Sequence, residues 1–171
     1  MASNKKIPKN KVVEEAKSIS SPLDSASELE KKIFDLPAYK KDGQRESVTG
    51  KSPYVVLKYF QKDFECFSAW EKDELKQFSN FLENFGKHTW ESVYKTAGKG
   101  GNKAGLGYTR YELSTMDEGQ GQVKKILDML SPDIGLFELR ISQKIRVHGF
   151  QSQSAFFLLL LDREHRVFKE K

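Results

Sequence analysis

Cysteine is almost missing: Cys66 stands alone, which excludes an internal disulfide and a thiolate metal site. It lies within the aromatic stretch "FECF" and reads as a buried, inert thiol. Histidine is also scarce, at three residues. His88, His148 and His165 show no ligand spacing, so neither a metal nor another cofactor is expected. Long apolar runs are absent too. "AFFLLLL" at 155–161 is far short of the twenty residues a membrane helix needs. The N-terminus "MASNKKIPKNKVV" is basic without an apolar core, unlike a secretory signal. No membrane association is expected, and a cytoplasmic location follows by default. There is no G-x-S-x-G elbow and no Cys–His pair at a recognisable spacing.

What is present is charge of both signs. There are 29 Lys+Arg against 24 Asp+Glu, a net of +5. Residues 1–50 carry 10 against 8 and residues 51–171 carry 19 against 16, so local clustering must carry any case for polyanion binding. Residues 1–50 are rich in Lys, Ser and acids, with no Trp and one Tyr. They are expected to form a flexible, partly helical arm. One helical stretch is Val12, Val13, Ala16 and Ile19. A second is Leu29, Ile33 and Phe34, with Ser25 and Glu28 at capping-box spacing.

A folded domain is expected over 51–171. "YVVLKYF" (54–60) reads as a strand. Ser68 and Glu71 open a helix whose stripe is Leu75, Phe78, Leu82 and Phe85, with Phe81 beside it and Gly86 at its end. Thr89 caps a short helix carrying Trp90, Val93 and Tyr94. Trp70 and Trp90 read as core rather than base-stacking groups. "AGKGGNKAGLG" (97–107) is a glycine-rich connector without a P-loop pattern; Lys99 and Lys103 are its cations. "YTRYEL" is a short strand, and Val123, Ile126, Leu127 and Leu130 mark a further helix. The fold class implied is α+β: an antiparallel β-meander packed against two or three helices on one face.

Residues 137–168 allow a finer reading. Phe137, Leu139 and Ile141 alternate with Glu138 and Arg140; Ile145, Val147 and Gly149 alternate with Lys144, Arg146 and His148. Both apolar sets reach one core only if Ser142, Gln143 and Lys144 form a three-residue turn. That register sets Ile141 opposite Ile145, Leu139 opposite Val147, Arg140 opposite Arg146 and Glu138 opposite His148. "AFFLLLL" is apolar on both faces and should be central. "DREHRVF" should turn at Asp162 and bring His165, Arg166 or both back toward the sheet. Arginines suit a phosphate, and histidines suit proton transfer, as metal-free RNA cleavage requires. The alternative is a solvated sheet face on which Glu138, Asp162 and Glu164 pair the cations.

The order strand, two helices, apolar meander resembles the RelE/ParE toxin superfamily over about 54–168. The closer likeness lies in "FELRI…IRVHGF…FFLLLLDREHRVF", within 136–168. The resemblance implies a RelE-like fold and a small bacterial or phage protein often paired with an antitoxin protein. RelE-like members cleave mRNA at the ribosome without a metal; ParE-like members act on gyrase. It implies Arg146 as transition-state stabiliser and Arg140 as phosphate binder, with His165 or Arg166 as the basic group near the end of the chain. Many RelE-type nucleases carry a tyrosine there, whereas the last tyrosine here is Tyr111. A general base would then be His148 or His165. The expected site is therefore Arg146, His148 and His165 for catalysis, with Arg140, Lys144 and Arg166 binding RNA. The other reading is a non-catalytic module of the same fold that binds a protein or nucleic acid.

Overall fold

The computed structural model describes residues 26–36, 46–97 and 105–169. The expected helix around Val12–Ile19 and residues 98–104 of the glycine-rich stretch, with Lys99 and Lys103, lie outside them. The described elements are α1 (Glu28–Ile33), β1 (Tyr54–Val56), α2 (Lys72–Gly86), α3 (Trp90–Tyr94), β2 (Thr109–Tyr111), α4 (Gln120–Leu130), β3 (Leu136–Arg140), β4 (Arg146–Ser152) and β5 (Ala155–Asp162). The class is α+β, as the sequence implies. Among the described residues no helix is long and apolar enough to cross a membrane.

The five strands lie in the order β1-β5-β4-β3-β2. Strands β2 to β5 form the expected antiparallel meander, but β1 pairs parallel with β5, Tyr54 opposite Ala155. The sheet is therefore mixed, not purely antiparallel. A parallel neighbour needs a crossover connection, and everything between β1 and β5 supplies it. The β3–β4 register is the expected one: Leu139 faces Val147, Arg140 faces Arg146 and Glu138 faces His148. Ile141 N–H bonds the Ile145 carbonyl at 3.0 Å, which closes the turn over Ser142–Lys144. β5 is central, and Phe156, Leu158, Leu159, Leu160 and Leu161 are all 0% exposed.

Helices cover both faces, not one. Phe78, Phe81 and Phe85 of α2 and Trp90 and Val93 of α3 pack on Phe137, Leu139, Val147, Phe156, Leu158 and Leu161. Val123, Ile126 and Leu127 of α4 pack on Leu136, Phe150, Leu159 and Leu160. Each such apolar side chain contributes about 1.5–3 kcal/mol on burial. A bulge between His148 and Gly149 makes this division possible. His148 pairs with Leu160 and Gly149 with Leu158, which leaves Leu159 extra. Leu159 and Leu160 then share one face and Asp162 follows them to it. Gly149 has no alternative: a Cβ there would lie 2.1 Å from the Phe157 carbonyl oxygen.

Several local details differ from expectation. Ser27 with Glu30, not Ser25 with Glu28, makes the α1 capping box. α2 is capped by Glu71 with Glu74, because Phe67–Ala69 winds as a separate 3-10 turn and takes Ser68 out of reach. Leu75 and Leu82 of α2 stay 38% exposed while Phe81 is buried, so the buried stripe is Phe78, Phe81 and Phe85. β1 stops at Val56 because a turn, Phe60 N–H to the Leu57 carbonyl, follows it. Cys66 is half-buried rather than buried, and hydrogen bonding from Ser68 draws its thiol below the usual range. Trp70 and Trp90 are core, as expected: Trp70 Nε1 donates to Glu65 at 2.6 Å, and Trp90 Nε1 to the Ser154 carbonyl at 3.1 Å.

Candidate functional site

The end of the sheet at the β3–β4 turn collects most of the expected site residues. Arg140 and Arg146 are direct cross-strand partners. Both line a cavity of about 610 Å³, whose other walls include Gln77, Asn80 and Asn84 of α2, with Leu106 and Gln143. The stripe that buries Phe78, Phe81 and Phe85 leaves those carboxamides facing this opening. Among the described residues no carboxylate lines it. Arg140 N–H bonds the Leu106 carbonyl at 2.6 Å, and its guanidinium lies over Gly107, where a Cβ would come within 3.0 Å. Gly107 also has φ +57°, so glycine is needed there twice over. Arg146 Nη1 donates to the Ser142 carbonyl at 2.8 Å and the Ile145 carbonyl at 3.1 Å, which holds its guanidinium against the turn. Its Nε lies 3.9 Å from Glu138.

A second cavity, about 510 Å³, opens on the other flank of the same turn and shares Gln143 with the first. Lys144, His165, Arg166 and Lys169 line it together with Glu164. Lys144 pairs with Glu164 at 2.6 Å. Arg166 pairs with Glu118 at 3.2 Å and Glu65 at 3.4 Å, and its guanidinium stacks 4.5 Å from the Phe64 ring centre. His165 sits at φ +56°, in the left-handed turn that swings the chain back under the sheet, as the sequence implies.

His148 is elsewhere. It is 0% exposed, beneath Tyr111 and Phe168, with ring centres 5.7 Å and 6.0 Å away. Its Nε2 lies 3.4 Å from Asp162 Oδ2, an ion-pair distance without hydrogen-bond alignment. The Tyr111 hydroxyl, Glu138 Oε2 and both His148 nitrogens are buried without a hydrogen bond from the protein. Burial pushes the Tyr111 hydroxyl far above its usual range, with Glu138 and Asp162 adding to the effect. Burial also works to raise Asp162. The His148 imidazole and the N–H groups of Val167 and Arg166, at 3.0 Å and 2.7 Å, outweigh it and hold this carboxyl below the usual range.

Of the six expected residues, Arg140 and Arg146 share one cavity, Lys144, His165 and Arg166 share a second, and His148 is closed off from both. Glu138, Asp162 and Glu164 accompany Arg146, His148 and Lys144, but the Lys144–Glu164 pair is exposed while the Arg146–Glu138 pair is mostly buried and the His148–Asp162 pair fully so, and the face is not the solvated one of the alternative. Gln77, Asn80 and Asn84 were not candidates from sequence. Their only signal is that they fall on the polar side of the α2 stripe. Comparison with known proteins adds no relative: no family model, curated protein or solved structure matches the chain.

Proposed function

We propose that this chain is a RelE-like module that grips RNA at the Arg140–Arg146 end of its sheet. The observation that carries the reading is the paired arginines opening on a cavity that has no carboxylate among its described lining residues. Two arginines directly opposite on a sheet repel. A phosphate between them replaces that repulsion by charge-assisted bonds to both. The neighbouring carboxamides offer donors and acceptors to base edges. The order β1, α2, α3, then the meander is what supports the RelE-like part of the reading. With no titratable group other than arginine among its described lining residues, this cavity suits binding rather than proton transfer.

The endoribonuclease reading rests on the second cavity, where His165 is the group able to act as acid or base beside Lys144 and Arg166. One experiment separates the two. The full chain is titrated against fluorescent RNA over a range of salt, and the RNA is then run on a gel. Binding is expected to weaken steeply with salt and to fall about tenfold or more in Arg140→Ala/Arg146→Ala. Unchanged affinity in that double variant sinks the proposal. RNA fragments that disappear in His165→Ala establish cleavage instead.

A further inference from the structure

A third cavity, of about 510 Å³, opens at the β2 edge and is lined by Tyr94, Tyr108, Arg110, Gly135, Phe137 and Gln151. Tyr108 lies 4.8 Å from the ring centre of buried Phe137, and Tyr94 stands edge-on to Tyr108 at 5.3 Å. Tyr94 is held from behind by Trp90, 5.7 Å away, and its hydroxyl donates to Gln151. Both tyrosine rings are half-buried, so they are fixed in place yet reach the surface. Arg110 is exposed, and its guanidinium crosses Gly135, where a Cβ would lie 3.0 Å from it. Among the described residues no carboxylate lines this cavity either. Burial raises both phenols; the Gln151 hydrogen bond opposes that rise at Tyr94, and the nearby Arg110 charge opposes it at both.

We propose that Tyr94 and Tyr108 form a base-stacking platform with Arg110 as its phosphate contact, so that the RNA gripped at Arg140 is a single strand with an accessible base. The inference rests on the RNA-binding reading above and adds the substrate form. Rigid aromatic rings offer stacking area with little ordering cost, and every base has a face to stack. The position fits. Leu106 borders the arginine cavity and Tyr108 borders this one, with Gly107 alone between them in the chain, so the two openings are neighbours. A duplex cannot use the platform, because its bases are already stacked on each other.

The full chain is titrated by fluorescence anisotropy with a labelled single-stranded RNA, the same RNA as a duplex, and an abasic sugar-phosphate strand of equal length. The single strand is expected to bind about tenfold tighter than either of the others. Tyr108→Leu should remove most of that advantage, Tyr108→Phe should keep it, and Arg110→Gln should weaken all three ligands alike. Because Tyr108 rests on the core, far-UV circular dichroism checks each variant, and the abasic comparison needs no variant at all. Equal binding of abasic and normal strands, with Arg140→Ala still weakening both, overturns the platform and leaves the arginine grip standing. Absence of binding to all three overturns both proposals.

Discussion

Replacing Asp162 by asparagine probes the buried network that ties the end of the chain to the sheet. The carboxylate is 0% exposed, lies beside the His148 ring, and accepts the N–H groups of Arg166 and Val167. Asparagine keeps the shape and one neutral acceptor. It loses the charge facing His148 and turns an amide NH₂ toward a group that is itself a donor. Hydrogen bonds to a charged acceptor are worth about 1.5–3 kcal/mol each, so a net loss of about 3 kcal/mol is expected. For a chain of this size that lowers the melting temperature by about 6–12 °C. The pH dependence follows from the depressed native pKa. The folded carboxyl holds its proton more weakly than the unfolded one, whose ordinary value is 3.8. The Asp162 contribution is therefore complete above about pH 5 and is lost as pH falls below about 4. Melting followed by circular dichroism at pH 7, 5 and 3.5 should show a gap between wild type and variant that narrows only at the lowest pH. A gap that stays constant across the series, or one under about 1 kcal/mol at pH 7, refutes the assignment.

Two other substitutions test the frame around the site. Gly149→Ala places a methyl group 2.1 Å from the Phe157 carbonyl oxygen, a clash with backbone that no rotamer relieves. It should cost about 3 kcal/mol or more, read as a lowered denaturant midpoint or loss of soluble protein; a midpoint equal to wild type would show the bulge to be misplaced. Glu65→Ala removes the acceptor shared by Trp70 Nε1, Arg163 N–H and Arg166 Nη2. It should speed hydrogen exchange at Arg163 and Arg166 at least tenfold while leaving β3 protected, whereas unchanged exchange would mean Glu65 does not anchor this segment.

The β3–β4 pairing was legible because period-two alternation and a single shared core admit one turn length. Arg140 beside Arg146 came directly from that register. β5 was legible as central because a strand apolar on both faces must be covered on both. The direction of its other neighbour was not, since alternation is the same for parallel and antiparallel strands. The bulge also escaped: its signal was Gly149 inside a strand, where glycine otherwise weakens pairing. Missing it hid how Asp162 reaches the His148 face and why that face is buried beneath Phe168. The capping boxes overlapped in the sequence, Ser68–Glu71 against Glu71–Glu74, and only the 3-10 turn decided between them. Tyr94, Tyr108 and Arg110 come together from a short helix and an edge strand, a juxtaposition that local spacing does not reveal.

The parallel seam between β1 and β5 bears on how the protein is made. Tyr54 and Ala155 are partners about a hundred residues apart. During synthesis the first strand leaves the ribosome long before its partner β5 exists. Val55 packs on the core in the finished sheet, so until then it has no surface to cover it. Non-local pairing of this kind slows folding and lengthens exposure to aggregation. The meander from β2 to β5 can close in sequence order, and its last strand then offers the edge onto which β1 docks. Assembly should finish at that seam, which makes the oldest part of the sheet in synthesis the youngest in folding.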